Sequence, residues 1–100
     1  EARDLCMGVV RARYRRSLEK PMFLKPGEVT EFTIRLGPTS NRFKVGHCIR
    51  LDITSSDFPN YDRNHNTGLD DNADPLLAVA HQTVYHGGQY PSRMHLPWIP

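Results

Sequence analysis

The sequence predicts an all-β protein, an antiparallel sandwich or barrel assembled from short strands. Several runs alternate strictly between apolar and polar residues, which is the period of a half-buried strand. Seven Gly and eight Pro are spread along the 100 residues and separate these runs from one another. No stretch carries the 3.6-residue periodicity of a helix of useful length.

Five runs are expected to be strands. The first covers residues 8–15, where arginines occupy one face and apolar residues the other. The second covers 28–36 and the third 48–55, and both are rich in β-branched residues. Weaker strands are expected over 78–85 and around 94–96. Short antiparallel strands at this spacing are typical of sandwiches and barrels.

Turn residues lie between the runs. Pro26-Gly27 predicts a turn, because proline presets the first turn position and glycine accepts a positive φ. Residues 37–41 form a second connection. The segment Asp57 to Pro75 is long, polar and rich in Asp and Asn. A structureless loop of this length inside a compact domain is uncommon and usually has a function or contacts a partner.

Composition limits the function classes. The chain is 38% hydrophobic and 24% charged with a net charge of +2, which fits one small globular domain or part of one over residues 1–100. Near balance of charge argues against nucleic acid as the partner. The arginine stripe at Arg11, Arg13, Arg15 and Arg16 is expected to be solvated or to face another domain. No apolar run approaches the length that spans a membrane.

The chain opens at Glu1 without an initiating Met. We expect it to be a segment of a longer protein. Five strands are few for a closed sandwich, so either the fold is small or the remaining strands lie upstream. The two cysteines, Cys6 and Cys48, do not form a disulfide framework, and free buried thiols are the expectation, with a single bridge left open.

Catalytic residues are not expected in this chain. The G-x-S-x-G elbow of the α/β-hydrolases is absent, together with the strand–turn–helix context that it requires. No serine stands on a sharp glycine-flanked turn. We therefore assign no nucleophile, general base or general acid to these residues.

Metal and cofactor sites are not expected either. The five histidines, His47, His65, His81, His86 and His95, lack zinc-site spacing and are expected to be satisfied or at the surface.

Asp62, Asn64 and Asn66 could offer oxygen ligands to calcium, because their side chains alternate along the chain and carry oxygen. However, Thr67 intervenes before the glycine, and Ala73 stands where a bidentate Glu is needed. Side chains that hold their own backbone in Asx turns are the simpler interpretation.

A carbohydrate- or ligand-binding sandwich is the alternative function. Four aromatic residues have the chemistry to stack on a sugar ring, although none forms an exposed cluster by spacing alone. They are Tyr61, Tyr85, Tyr90 and Trp98.

A resemblance to a known family is carried by short motifs in a fixed order. They run from about residue 8 to residue 100. The motifs are Val10-Arg11-Ala12-Arg13-Tyr14-Arg15 with Ser17, Pro26-Gly27-Glu28-Val29, Pro38-Thr39-Ser40 with Phe43, Gly46-His47, Ile49-Arg50, Ser55-Ser56, Phe58-Pro59, Asp62-Arg63-Asn64, Asn66-Thr67-Gly68, Gln82-Thr83-Val84-Tyr85-His86, Pro91-Ser92-Arg93 and Leu96-Pro97.

Together these motifs resemble the C-terminal domain of the X-Pro dipeptidyl-peptidase and cocaine esterase family of serine acyl hydrolases. The resemblance implies a jelly-roll β-sandwich of galactose-binding-like topology, of which this chain would be the C-terminal portion. It also implies a partner, the α/β-hydrolase domain of the same protein, which would carry the catalytic Ser, Asp and His. Self-association is left open. The chain departs from the family pattern at Cys48, where Arg is usual, and at Cys6-Met7, where polar residues are more typical.

The resemblance also suggests a role for the long polar segment, as a surface that docks on the neighbouring hydrolase domain. Phe58 and Tyr61 would supply apolar contact, and Arg63 a charge-assisted hydrogen bond. Asn64 and Asn66 complete the set of expected interdomain contacts.

Overall fold

The computed structural model describes all 100 residues and comprises two compact units, Glu1–Thr54 and Ser55–Pro100. The one helical element is a 3-10 helix over Ala12–Tyr14. The one β-bridge is antiparallel and joins Gly87 to Tyr90. No helix is long and apolar enough to cross a membrane. The predicted strands do not form hydrogen-bonded ladders with one another, so the jelly-roll sandwich stays a prediction.

Apolar side chains of the predicted strands remain in contact with solvent. Residues in the second and third runs, among them Phe32, Ile34, Leu51 and Ile53, are 38–57% exposed, and no residue in the chain is fully buried. The accessible surface is 10016 Å², whereas a compact monomer of this mass has roughly 5,800 Å². Alternation decides which side chains share a face, but burial of that face requires further strands or another domain to cover it.

In the first unit, the start of the first predicted strand lies against the end of the second. The Gly37 N–H donates a hydrogen bond of 3.0 Å to the Met7 carbonyl oxygen. Gly8 is half-buried and faces the backbone carbonyl of Arg35. Moving forward from residue 7 to 8 corresponds to moving back from 37 to 35, so these two segments approach each other in antiparallel orientation.

The end of the first predicted strand differs from the expectation. Alternation predicts an extended run to residue 15, but Ala12–Tyr14 form a 3-10 helix. The Tyr14 N–H donates 2.9 Å to the Arg11 carbonyl. The Arg15 guanidinium stabilises this turn, because its Nη1 donates to the Ala12 carbonyl at 2.8 Å and to the Met22 carbonyl at 2.6 Å. A pattern of alternating hydrophobicity does not predict that a side chain will donate hydrogen bonds to two backbone carbonyls.

The segment after this helix folds back onto it. The Met22 N–H donates 2.7 Å to the Arg13 carbonyl, and the Arg13 guanidinium carbon lies 5.3 Å from the centre of the Phe23 ring. The arginine stripe is therefore split. Arg11 and Arg16 are exposed as expected, while Arg13 and Arg15 are half-buried and bind other residues of the same unit.

The turn predicted at Pro26-Gly27 is confirmed. Gly27 has φ of 77°, and the Glu28 N–H donates 3.1 Å to the Lys25 carbonyl. A second turn of the same kind lies at Val45-Gly46, where Gly46 has φ of 85°. Positive φ at the third turn position favours glycine, because a Cβ there clashes with the backbone.

The two cysteines lie in the first unit as free thiols, and both Cys6 and Cys48 are exposed. The expectation of free thiols is confirmed, whereas the expectation of burial is wrong. Neither thiol lies beneath a layer of apolar side chains, because no residue of the chain is fully buried.

The second unit ends in a tight reversal. The Gly87–Tyr90 bridge encloses Gly88, whose φ is 62°. The Tyr85 and Tyr90 rings lie 5.5 Å apart, tilted by 56°. The Ser92 hydroxyl donates to the Tyr85 carbonyl, so the residues on both sides of the reversal are held together.

Candidate docking loop

The polar segment of the second unit, residues 57–75 and here called the docking loop, is organised by its own side chains. Four of these side chains accept a hydrogen bond from the backbone N–H two residues further on. The pairs are Asn64 Oδ1 with Asn66 N at 3.0 Å, Thr67 Oγ1 with Leu69 N at 3.3 Å, Asp70 Oδ1 with Asn72 N at 3.0 Å and Asp74 Oδ1 with Leu76 N at 3.0 Å. The predicted Asx-turn organisation is therefore confirmed.

Asp70 closes a short turn within the loop. Its carbonyl oxygen accepts from the Ala73 N–H at 3.0 Å and from the Asp74 N–H at 2.9 Å. Together with the Asx contact of its carboxylate, Asp70 supplies acceptors for three successive backbone donors, at Asn72, Ala73 and Asp74. A polar loop keeps its conformation in this way without a hydrophobic core beneath it.

His65 connects the middle of the loop to its C-terminal end and to Ala78 beyond it. Its backbone N–H donates 3.3 Å to Asp71 Oδ1, and its carbonyl accepts 2.9 Å from the Ala78 N–H. Its ring Nδ1 lies 2.8 Å from the Asp74 carbonyl oxygen. Because a carbonyl only accepts, Nδ1 carries the proton and donates. The half-buried ring of His65 thus acts as a satisfied structural histidine, one of the two readings expected for it.

Asn66 takes a backbone conformation that few residues tolerate. Its φ is 59°, in the left-handed region, where Asn is enriched among non-glycine residues. Its Nδ2 donates 3.0 Å to the Ala78 carbonyl. With Ala78 also donating to the His65 carbonyl, positions 65 and 66 hold both backbone groups of Ala78.

The predicted contact residues divide into two groups. Phe58 is 67% exposed and Tyr61 47% exposed, and Arg63 is exposed as well. These three present apolar surface and a positive charge to the outside of the unit. Asn64 and Asn66 are exposed too, but their side chains hold the loop backbone, which gives them a supporting role.

The backbone that carries Phe58 is itself tied to its neighbours. The Tyr61 N–H donates 3.1 Å to the Asp57 carbonyl. Asn60 Nδ2 donates 3.3 Å to the Asp57 carboxylate. The peptide bond between Phe58 and Pro59 is cis. The exposed aromatic residues therefore stand on a hydrogen-bonded turn.

Sequence reasoning missed His65 and Asp57 as organisers of the loop. The sequence predicts His65 to be satisfied or at the surface, but nothing in its spacing predicts which carbonyl its ring will meet. The signal that was available is its position between Asn64 and Asn66, at the centre of the loop's Asx turns.

Outside the loop, one charged pair changes the ionisation of its members. Arg50 Nε lies 2.8 Å from Asp52 Oδ1, and Nη2 lies 2.9 Å from Oδ2. The hydrogen bonds from Arg50 lower the pKa of Asp52, and the same contact raises the pKa of Arg50. No three side chains among His, Cys, Asp and Glu converge as a metal site would need.

Comparison with known proteins gives a family and one curated relative. Residues 1–95 match the family described as the X-Pro dipeptidyl-peptidase C-terminal non-catalytic domain. The chain is 41% identical over 97 residues to a cocaine esterase from Rhodococcus sp. (strain MB1 Bresler), which covers 95% of this chain and 17% of that relative.

No solved structure matches. The chain thus spans 17% of the length of the curated relative it matches. The family match covers nearly the whole chain, and its range of residues 1–95 overlaps the stretch over which the motifs quoted above are found. This chain belongs to the family of X-Pro dipeptidyl-peptidase C-terminal non-catalytic domains.

Proposed function

We propose that this chain is an accessory β-sandwich of a serine acyl hydrolase of the esterase or X-Pro dipeptidyl-peptidase type. It carries no part of the catalytic machinery. Its work is to stabilise an α/β-hydrolase domain of the same protein and to shape the rim of that domain's active site. The docking loop is the surface that makes the contact, with Phe58, Tyr61 and Arg63 as its principal side chains.

The family assignment supports the first part of the proposal. The matching family is described as non-catalytic and C-terminal, and the curated relative is named an esterase. The chain offers no G-x-S-x-G elbow. The family and the missing elbow both support a protein whose catalytic residues lie in another domain.

The construction of the docking loop supports the second part. Phe58 is 67% exposed although it is large and apolar, and exposed aromatic residues on a fixed backbone are typical of interface anchors. The Asx turns and the His65 contacts hold the loop before any partner arrives. Preorganisation lowers the entropic cost of association, because the loop loses little freedom on binding.

The proposed fold is a jelly-roll sandwich, and local features support it. The antiparallel approach of Met7 to Gly37 and the antiparallel bridge between Gly87 and Tyr90 are local contacts of the kind that strand pairing requires. Apolar faces that remain exposed are what a partial sandwich would leave uncovered. Further strands or a neighbouring domain would bury them.

The decisive experiment substitutes the outward-facing residues in the full-length enzyme. Phe58→Ala and Arg63→Ala are each expected to lower the thermal midpoint of the whole enzyme and to change its catalytic efficiency. Matched controls are Leu18→Ala, which removes an apolar side chain that is 89% exposed, and Arg42→Ala, which removes an exposed arginine of the first unit. If both docking-loop variants behaved like these controls, the docking role would be rejected.

A second candidate function rests on the tyrosine pair. Tyr85 and Tyr90 are 46% and 43% exposed, and their rings lie 5.5 Å apart and tilted by 56°, so each ring could offer a face to a sugar. Titration of the protein with mono- and oligosaccharides distinguishes the candidates. Saturable binding that Tyr90→Ala removes would favour carbohydrate binding over an accessory role.

A further inference from the structure

Two tyrosines of the second unit contact each other across its final reversal. The ring centres of Tyr85 and Tyr90 are 5.5 Å apart, and the rings are tilted by 56° to one another. This separation lies within the range of about 4.5–7 Å over which aromatic pairs are in contact. Both side chains are also open to solvent, with 46% of Tyr85 and 43% of Tyr90 exposed. A reagent in solution therefore reaches both phenols while they lie against each other.

The backbone holds this pair in place. The antiparallel bridge between Gly87 and Tyr90 closes the reversal, and Gly88 turns the chain with a φ of 62°. The Ser92 hydroxyl donates a hydrogen bond to the Tyr85 carbonyl oxygen, from the far side of the reversal. Rotation of each ring about χ2 stays soft, because that torsion has broad minima. Such a rotation brings the ring carbons next to the two hydroxyl groups toward one another without any change in the backbone.

We propose that Tyr85 and Tyr90 form an oxidative cross-linking site, at which the two side chains join as an intramolecular dityrosine in the presence of hydrogen peroxide and a haem peroxidase. Each phenol loses one electron and one proton and becomes a phenoxyl radical. The radicals couple through a new carbon–carbon bond between ring carbons next to the hydroxyl groups. Those carbons then release their protons and the oxygens are protonated again, which restores both aromatic rings. In total, two hydrogen atoms leave the protein and reduce one hydrogen peroxide to two water molecules.

Proximity decides which ring each radical meets. Two groups tethered a short distance apart meet at an effective concentration of about millimolar or more, far above the concentration of a second chain in dilute solution. Exposure alone does not provide this advantage. Tyr61 is 47% exposed but lies outside the stacked pair, so it serves as an internal comparison of equal accessibility. The bond between Tyr85 and Tyr90 would fix the reversal that the bridge and the Ser92 hydroxyl already hold.

Trypsin places both tyrosines in one peptide. Cleavage after Arg63 and Arg93 releases residues 64–93, which contain Tyr85 and Tyr90 but no other tyrosine and no Cys, Met or Trp. A loss of two hydrogen atoms from this peptide therefore does not come from sulfur or indole chemistry.

The full-length protein is treated with peroxidase and a limiting amount of hydrogen peroxide, digested and analysed by mass spectrometry. The expected main cross-linked product is peptide 64–93, lighter by two hydrogen atoms and carrying dityrosine fluorescence. Its fragmentation should yield no ions from backbone cleavage between residues 85 and 90, because the new bond holds the two sides together.

Three variants test the assignment and the geometry. Tyr90→Phe lacks one phenol and is expected to lose the product. Tyr61→Phe is the matched control, since it removes an exposed phenol outside the pair, and it should keep the product at the level of the wild type. Gly88→Pro keeps both tyrosines but replaces the positive φ of the reversal with a φ fixed near about −65°. The yield of the link in Gly88→Pro is expected to fall several-fold.

The proposal is overturned if peptide 64–93 keeps its mass after the hydrogen peroxide has been consumed. It is also overturned if the dityrosine joins two chains, which a denaturing gel would show as a doubled mass. Equal yields in Gly88→Pro and the wild type would reject it as well, because closeness in sequence and not the folded reversal would then bring the two rings together.

Discussion

Gly8 lies directly against the backbone carbonyl of Arg35, so close that a Cβ at position 8 would collide with that oxygen and lie 3.1 Å from Ile34 Cγ2. The obstacle is backbone, which yields less readily than the end of a side chain. This contact brings the first and second predicted strands together, beside the hydrogen bond from Gly37 to Met7.

Gly8→Ala is expected to destabilise the chain by about 1–3 kcal/mol, because the added methyl group forces the two segments apart. Gly37→Ala is the matched control, since a Cβ there would lie 3.7 Å from the Met7 oxygen, an ordinary contact. Urea denaturation of both variants measures the difference. Equal stability of the two variants would show that the Gly8 contact does not hold these segments together.

Asn66 supplies both a left-handed backbone and a side-chain hydrogen bond. Asn66→Gly keeps the φ of 59° accessible but removes the bond to the Ala78 carbonyl, whereas Asn66→Ala loses both. We expect Asn66→Ala to cost about 1 kcal/mol more than Asn66→Gly, because alanine in this region carries a steric penalty of roughly that size. Hydrogen exchange of the Ala78 amide, which is bonded to His65, reports the opening of the loop. Faster exchange in the glycine variant than in the alanine variant would contradict the assignment.

The Arg50–Asp52 pair predicts a pH dependence. Arg50 lowers the pKa of Asp52 in the folded chain, so the pair stabilises the fold fully above the unfolded pKa of about 3.9. This contribution is lost as the pH falls through the lower, folded pKa. Titration followed by NMR at the Asp52 carboxyl carbon should show a higher pKa of Asp52 in Arg50→Gln than in the wild type. Arg42→Gln should leave the Asp52 titration unchanged, and an equal shift in both variants would argue against the specific pair.

Arg15 stabilises the 3-10 helix through the Ala12 and Met22 carbonyls. In Arg15→Ala these bonds are lost, and the Met22 amide, which donates to the Arg13 carbonyl, should exchange at least about tenfold faster, since a hydrogen bond to a charged donor contributes about 1.5–3 kcal/mol. Arg16→Ala is the control, because Arg16 is exposed. If the Met22 amide exchanged at the same rate in Arg15→Ala, the 3-10 helix would not depend on the Arg15 side chain.

Turns and side-chain-to-backbone hydrogen bonds were predictable from the sequence where the contacting residues are only a few positions apart. Pro26-Gly27 encodes its turn because both residues restrict or permit φ by themselves. Asn64 and Asp74 cap backbone groups two residues away, within the reach of their own side chains. The family could also be identified from ordered motifs, and the match over residues 1–95 confirms it.

Contacts between distant residues were not predictable in this way. The 3-10 helix at Ala12–Tyr14 replaces the end of a predicted strand, because Arg15 meets a carbonyl seven residues away. The ring of His65 meets the carbonyl of Asp74, nine residues on. The expectation that the two free cysteines are buried was also wrong, because both thiols are exposed.

The sequence by itself determined the turns, the Asx contacts, the absence of a nucleophile elbow and the family to which the chain belongs. Each of these depends on residue identity or on spacing of a few positions. Only the tertiary structure decided that Gly8 lies against the Arg35 carbonyl and that Arg15 donates to the Met22 carbonyl. The same holds for the hydrogen bond between the His65 ring and the Asp74 carbonyl. The physical reason is that these contacts depend on how the chain returns upon itself, and a residue's own conformational preference carries no information about which distant carbonyl it will meet.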